Sequence, residues 1–203
     1  MSPEFLLTSF IVVVSPGAGA IYTIATGLGA GGRASVLAAF ACTLGIVPHL
    51  LAAMMGLAAL MHTSALLYDA VKYAGVAYLL FMAWQTLKEH GTLKIDGRAA
   101  RRTPLRVLVD GVAINILNPK LTIFFVAFLP QFLSKEAASP LFEMTVLSGV
   151  FMAMTFVVFA LYGLFAAAMR DHVISRPAVM TWLRRSFAAA FVALGARLAL
   201  SER

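Results

Sequence analysis

The chain has 203 residues, 61% of them hydrophobic and 12% charged, with a formal net charge of +7 and a mean hydropathy of +0.89. Soluble domains carry about 25% charged residues, so this chain cannot clothe a water-facing surface, and a soluble domain is excluded. Its one cysteine, Cys42, excludes an internal disulfide or a CxxC redox pair and reads as a small packing residue in an apolar run.

Crossing a hydrocarbon core takes about 20 apolar residues. Six segments read as spans, at about 4–27, 35–61, 65–87, 109–133, 142–169 and a short last one at 186–200. The first begins like a signal peptide, with apolar Phe5 to Val14 and small Ala18-Gly19-Ala20. Its leading residues hold Glu4 and no Lys or Arg, and apolar sequence resumes at Ile21, so the expectation is that it stays in place as a span. Ser15-Pro16-Gly17 interrupts this span near its middle, and Thr8, Ser15, Gly19, Tyr22 and Thr26 recur along it at helical spacing. The second span carries His49 just after Pro48, and the third has Asp69 and Lys72 near its start. The fourth has Asp110 at its start, a Gly111, Asn115, Asn118, Thr122 stripe, and Asn118-Pro119-Lys120 near its middle.

Basic residues fix the orientation. Arg33, the cluster Lys88, Lys94, Arg98, Arg101, Arg102 and Arg106, and Arg170, Arg176, Arg184 and Arg185 fall in alternate loops. Lys72, Lys135, Arg197 and Arg203 fall on the other side. The positive-inside rule places both termini outside and the long basic loop in the cytoplasm, which requires an even number of spans. That loop lacks aromatic interleaving, so it reads as a topology signal and a contact for anionic lipid, with no nucleic-acid partner.

Spans one to three and four to six read as two copies of one unit. Lys72-Tyr73-Ala74-Gly75-Val76-Ala77-Tyr78-Leu79 parallels Arg185-Ser186-Phe187-Ala188-Ala189-Ala190-Phe191-Val192, and the Ser-Pro and Asn-Pro breaks take matching places. Copies of three spans each must enter the membrane from opposite sides, which makes an inverted repeat. The expected fold is all-α: six transmembrane helices in a single transporter domain over 1–203, with helices one and four broken. Repeat one is 1–88, the basic loop 89–108 and repeat two 109–203.

Proline inside a helix removes one hydrogen bond. Ser and Asn are favoured N-caps and Pro is favoured at the first helical position, so each dipeptide reads as the start of a new helix within a span. By helix rise, both breaks fall about 15 Å into a core of about 30 Å. Backbone groups freed at that depth must be buried in protein or line a wet cavity. N–H groups after a break suit a carboxylate, and carbonyls before it suit an ammonium. A zwitterionic amino acid offers both. The expected substrate site is Ser15, Pro16, Gly17, Gly19, Tyr22, Asn115, Asn118, Pro119, Lys120 and Thr122. A lysine at that depth costs about 2.5–3.5 kcal/mol on insertion scales, so Lys120 must meet freed carbonyls, a carboxylate or water. It either draws a substrate carboxylate or caps broken backbone. Asp110 and His49 are candidates for passing a proton, with pairing to Arg106 and hydrogen-bonded packing as their respective alternatives.

An enzyme finds no GxSxG, HExxH or paired carboxylates within the spans, and His49, His62, His90 and His172 are scattered. No metal or other cofactor is expected. An exporter of metal ions or other small solutes is the main alternative, although amides, hydroxyls and one lysine at the midplane suit an organic zwitterion better.

Three stretches resemble the LysE/RhtB family of lysine and homoserine/threonine exporters. They are Ser15-Pro16-Gly17 with Gly27, Gly31-Gly32-Arg33 and Leu44-Gly45; Lys72 to Leu80 running to Trp84; and Asn118-Pro119-Lys120-Leu121-Thr122-Ile123-Phe124-Phe125 to Phe128-Leu129-Pro130-Gln131-Phe132. The resemblance implies a six-helix amino-acid exporter of the bacterial inner membrane, driven by proton exchange or the membrane potential and forming a homodimer. Two departures stand out. Ala18 replaces the second proline of the family's Pro-Gly-Pro, and no acidic residue stands near Leu44-Gly45-Ile46. The second leaves Asp110 and His49 as substitutes in proton coupling. With Lys120 at the pocket and no acidic partner evident, neutral amino acids are expected over cationic ones.

Overall fold

The computed structural model describes residues 2–15, 17–60, 103–134 and 139–169, with single positions between 73 and 84 and between 189 and 196. Every described element is helical, and among the described residues there is no strand. The expected third and sixth spans, and most of the basic loop, lie outside the described residues.

Helix α1, Pro3–Val14, starts as its sequence dictates. Ser2 caps it, the hydroxyl accepting from the Phe5 N–H at 3.2 Å, with Pro3 in the first turn and Glu4 at the positive dipole end. Helix α2, Ala18–Ala30, follows at a bend of 52°. Gly31 then turns the chain into α3, Gly32–Leu44, at φ +88°, where a side chain would strain the backbone. A turn at Gly45–Ile46 leads to α4, Val47–Leu60. Residues Gly32–Gly56 together form a span of 25 residues, somewhat earlier than the 35–61 expected.

Helix α5, Pro104–Ile116, starts five residues before the expected 109, because Thr103 caps it through the Arg106 N–H and Pro104 takes the first position. After a bend of 49° comes α6, Pro119–Ile123. It widens into a π turn at Phe124–Phe128 and tightens into a 3₁₀ turn at Leu129–Phe132. The wide turn precedes Pro130, which has no N–H to give Val126 and would clash with its carbonyl in a regular helix. Helix α7, Pro140–Ala168, has 29 residues. At 1.5 Å per residue that is about 44 Å, more than a bilayer core.

Among the described residues, two segments are thus long and apolar enough to cross a membrane, or up to four if each bent pair is one span. Leu105, Met55, Leu117 and Phe142 are exposed at 69–80%, an apolar outer face suited to lipid. Within, α3 packs on α7 and α5, and α2 on α7 and α3. Small residues let these backbones meet, as membrane helices require. A Cβ on Gly163 would lie 2.5 Å from the Ser35 Cβ, and one on Gly111 would lie 2.7 Å from that of Ala41. The π turn is pinned to α7 by rings: Phe124 stacks on Phe151 at 4.4 Å, and Phe125 meets Phe151 edge-on at 5.4 Å.

Candidate functional site

A helical N–H bonds the carbonyl four residues before it. Proline has no N–H, so Pro16 cannot serve the carbonyl of Val12, nor Pro119 that of Asn115. Each carbonyl takes one donor at its own break, the Ser15 hydroxyl for Val12 and the Asn118 N–H at 3.1 Å for Asn115, and a second from the opposite half of the chain. The Val12 carbonyl accepts from Lys120 Nζ at 2.9 Å, and from the Ser15 hydroxyl at 2.9 Å. The Asn115 carbonyl bonds His49 Nε2 at 2.8 Å. A carbonyl only accepts, so Nε2 carries the hydrogen. In the neutral ring Nδ1 is then an acceptor, here for the Thr122 hydroxyl at 3.1 Å.

Lys120 is 7% exposed. Its Nζ also reaches the Ser15 carbonyl at 3.0 Å and the Ser15 hydroxyl at 3.4 Å, so three uncharged oxygens at the carboxyl end of α1 hold it. The neighbouring carbonyl of Val14 accepts from the Tyr162 hydroxyl of α7 at 2.7 Å.

The two breaks differ in their second halves. Asn118 caps α6 as expected, its Oδ1 accepting from the Lys120 N–H at 3.1 Å, with Pro119 in the first turn. Ser15 does not cap α2. It is the C-cap of α1, turned back on Val12, and α2 is capped by Gly17 with no side-chain hydrogen bond to its first turn. The reason is length: Gly17 intervenes before the first helical residue, Ala18. Of the two new helices, α2 therefore keeps the more open amino end. Pro16 itself lies outside the described residues.

Asn115 ties the breaks together. Its Nδ2 donates to the Cys42 carbonyl at 2.6 Å, and its Oδ1 accepts from Asn118 Nδ2 at 3.3 Å. Cys42 needs that donor because the Ile46 N–H turns aside to Thr43 at the Gly45–Ile46 turn. Gly19 faces the same amide, since a Cβ there would come 2.5 Å from Asn115 Oδ1.

A hollow lies between these groups, lined by Val12, Val13, Gly17, Gly19, Asn115, Asn118, Lys120, Leu121, Phe151, Thr155 and Phe159. It admits the centre of a water molecule over about 10 Å³, roughly what one water needs. That is less than an amino acid fills, so the lining must move to admit one.

Of the expected site, Gly17, Gly19, Asn115, Asn118 and Lys120 line the hollow, and Ser15 bonds the lysine beside it. Pro119 stands at the break, in the first turn of α6. Tyr22 and Thr122 turn elsewhere: the Tyr22 hydroxyl donates to the Val107 carbonyl at 2.9 Å, and Thr122 meets His49. Asp110 pairs with Arg106 at 3.0 Å, near the start of α5. Sequence reasoning missed the α7 wall. Phe151, Thr155 and Phe159 recur every four residues on one face, a signal present in the sequence but shared by any apolar helix.

The sequence model of the LysE type translocators matches residues 10–202. The chain belongs to that family. It is therefore a membrane transporter rather than an enzyme. It is 29% identical over 200 residues to an uncharacterized membrane protein of Vibrio cholerae, covering 98% of this chain and 96% of that one. It is 29% identical over 195 residues to a homoserine/homoserine lactone efflux protein of Salmonella typhimurium, covering 96% and 94%. A leucine efflux protein of an Enterobacter species is 27% identical over 165 residues, covering 77% of each. No solved structure matches the chain.

Proposed function

We propose that this LysE-family transporter exports small neutral amino acids across the bacterial inner membrane, driven by proton exchange or the membrane potential. The observation that carries this reading is the hollow where two proline-broken helices meet. The carboxyl end of α1 offers carbonyl oxygens for an α-ammonium, and the amino end of α2 suits a carboxylate. The wall from Phe151, Phe159 and Leu121 leaves room in an opened state for a small apolar or hydroxylated side chain. The names of the relatives agree, one set for homoserine and another for leucine, both neutral side chains. Bends of 52° and 49° at corresponding breaks support the inverted repeat, and the basic loops support termini on the outside. A homodimer follows from the family resemblance.

Efflux from cells loaded with single amino acids tests this. Wild type accelerates the loss of homoserine or leucine, and Asn118→Ala and Lys120→Ala each slow it at least tenfold. Unchanged efflux in both variants removes the site assignment.

Of the two candidates for proton coupling, His49 has the better setting. It is 6% exposed and joins the Asn115 carbonyl of α5 to the Thr122 hydroxyl of α6, both uncharged partners. A proton added at Nδ1 would force the Thr122 hydroxyl to accept instead of donate, at the hinge between the two half-helices. Asp110 already has its partner in Arg106. In liposomes with an imposed pH gradient, His49→Gln is expected to lose the acceleration that the gradient gives, while Asp110→Asn retains it. Loss in Asp110→Asn alone reverses the assignment.

A further inference from the structure

The lysine that fills the carboxyl end of α1 is itself a primary ammonium on a flexible stem. Its three acceptors, the Val12 carbonyl at 2.9 Å, the Ser15 carbonyl at 3.0 Å and the Ser15 hydroxyl at 3.4 Å, are a binding shell for an R–NH3 group. None of them is a carboxylate, so no ion pair fixes the group there. The shell borders the hollow: Gly17 lines it, and a Cβ on Gly17 would lie 3.1 Å from Nζ. The hollow in this state has room for about one water. The oxygens that suit a substrate amine are thus already occupied by an amine of the chain.

We propose that Lys120 is a tethered stand-in for the substrate's ammonium, holding the amine subsite in the empty transporter and displaced from it when an amino acid binds. This rests on the amino-acid exporter reading above. The return of Lys120 to Val12 and Ser15 then expels the amine after the pocket has changed sides. Such a device sets specificity. A primary amine can replace the lysine in kind, whereas an N-acylated amino acid or a plain carboxylic acid has no ammonium to exchange. It also predicts a split in kinetics. Occupancy by Lys120 weakens apparent binding, as any competitor for the competent state does, and its return speeds release. Removing it lowers KM and the maximal rate together.

Two measurements test the proposal. In detergent, n-propylammonium chloride, against sodium chloride at equal ionic strength, raises the unfolding midpoint of Lys120→Ala and leaves wild type unmoved. An equal response in both overturns the ammonium subsite. In liposome counterflow with homoserine, the variant is Lys120→Gln, which keeps an N–H donor on a stem one atom shorter and whose size-exclusion profile in detergent checks that it stays folded. Its KM falls at least threefold, its maximal rate falls, and n-propylammonium competes more strongly than in wild type. An unchanged or raised KM leaves Lys120 as a cap on broken backbone and overturns displacement. Should wild type carry no neutral amino acid, the exporter reading fails, and the unfolding comparison by itself decides the subsite.

Discussion

Gly27→Leu is expected to leave almost no folded protein. A Cβ at Gly27 would overlap the Gly163 carbonyl, which belongs to the backbone of α7 and cannot swing away as a side chain would. The two helices would have to part along the line where Gly163 also meets Ser35 and Thr23, so three helices lose contact together. Overpacking of a core costs about 1–3 kcal/mol where side chains can give. Here none can, and the loss is expected at or above the top of that range. Without a hydrophobic drive between helices in lipid, close backbone packing is a main source of association. Gly149 supplies the control: among the described residues nothing lies within 4 Å of its would-be Cβ, so Gly149→Leu faces outward. Size-exclusion profiles and unfolding midpoints in mild detergent should separate the two, with Gly149→Leu within about 0.5 kcal/mol of wild type, as for surface changes in general. Equal behaviour of the two variants would show that the α2–α7 contact does not hold the fold.

Much of this architecture was legible before any coordinates. Composition settled the membrane, and proline placement located both bends, because a missing N–H acts the same way in any helix. The same breaks implied freed carbonyls in need of partners. What the sequence could not say was which donors would find them. Lys120 is 108 residues from Val12, and His49 is 66 from Asn115; such pairings exist only after the helices pack. Ser15 misled for a local reason. A serine before proline resembles an N-cap, but with Gly17 following, the hydroxyl turned back to the helix it ends. Tyr22 and Thr122 lay at the right spacing, yet each spends its hydroxyl on a partner away from the hollow. The π turn before Pro130 was likewise unannounced, since proline there could as well have ended the helix.

Asn115 is where fold and site converge, and Asn115→Leu is expected to damage both. An ordinary interhelical hydrogen bond in a membrane protein is worth about 0.6 kcal/mol on average, and its loss alone would hardly register. The Cys42 carbonyl is a different case. Its helical donor is already lost to the Gly45–Ile46 turn, so leucine would leave it buried and unpaired. That penalty is about 1–3 kcal/mol. The same change removes the acceptor that orients Asn118, the cap of the helix bearing Lys120. Efflux should therefore fall more than the stability loss explains, by at least about 10-fold, or 1.4 kcal/mol of transport free energy. Asn115→Asp separates hydrogen bonding from shape. It matches asparagine in size but turns an acceptor toward the Cys42 carbonyl, which can only accept. Asn115→Asp should do no better than leucine in unfolding midpoint and in efflux. If it behaved like wild type, the amide N–H would not be what holds α5 to α3, and the junction between the two breaks would rest on packing alone.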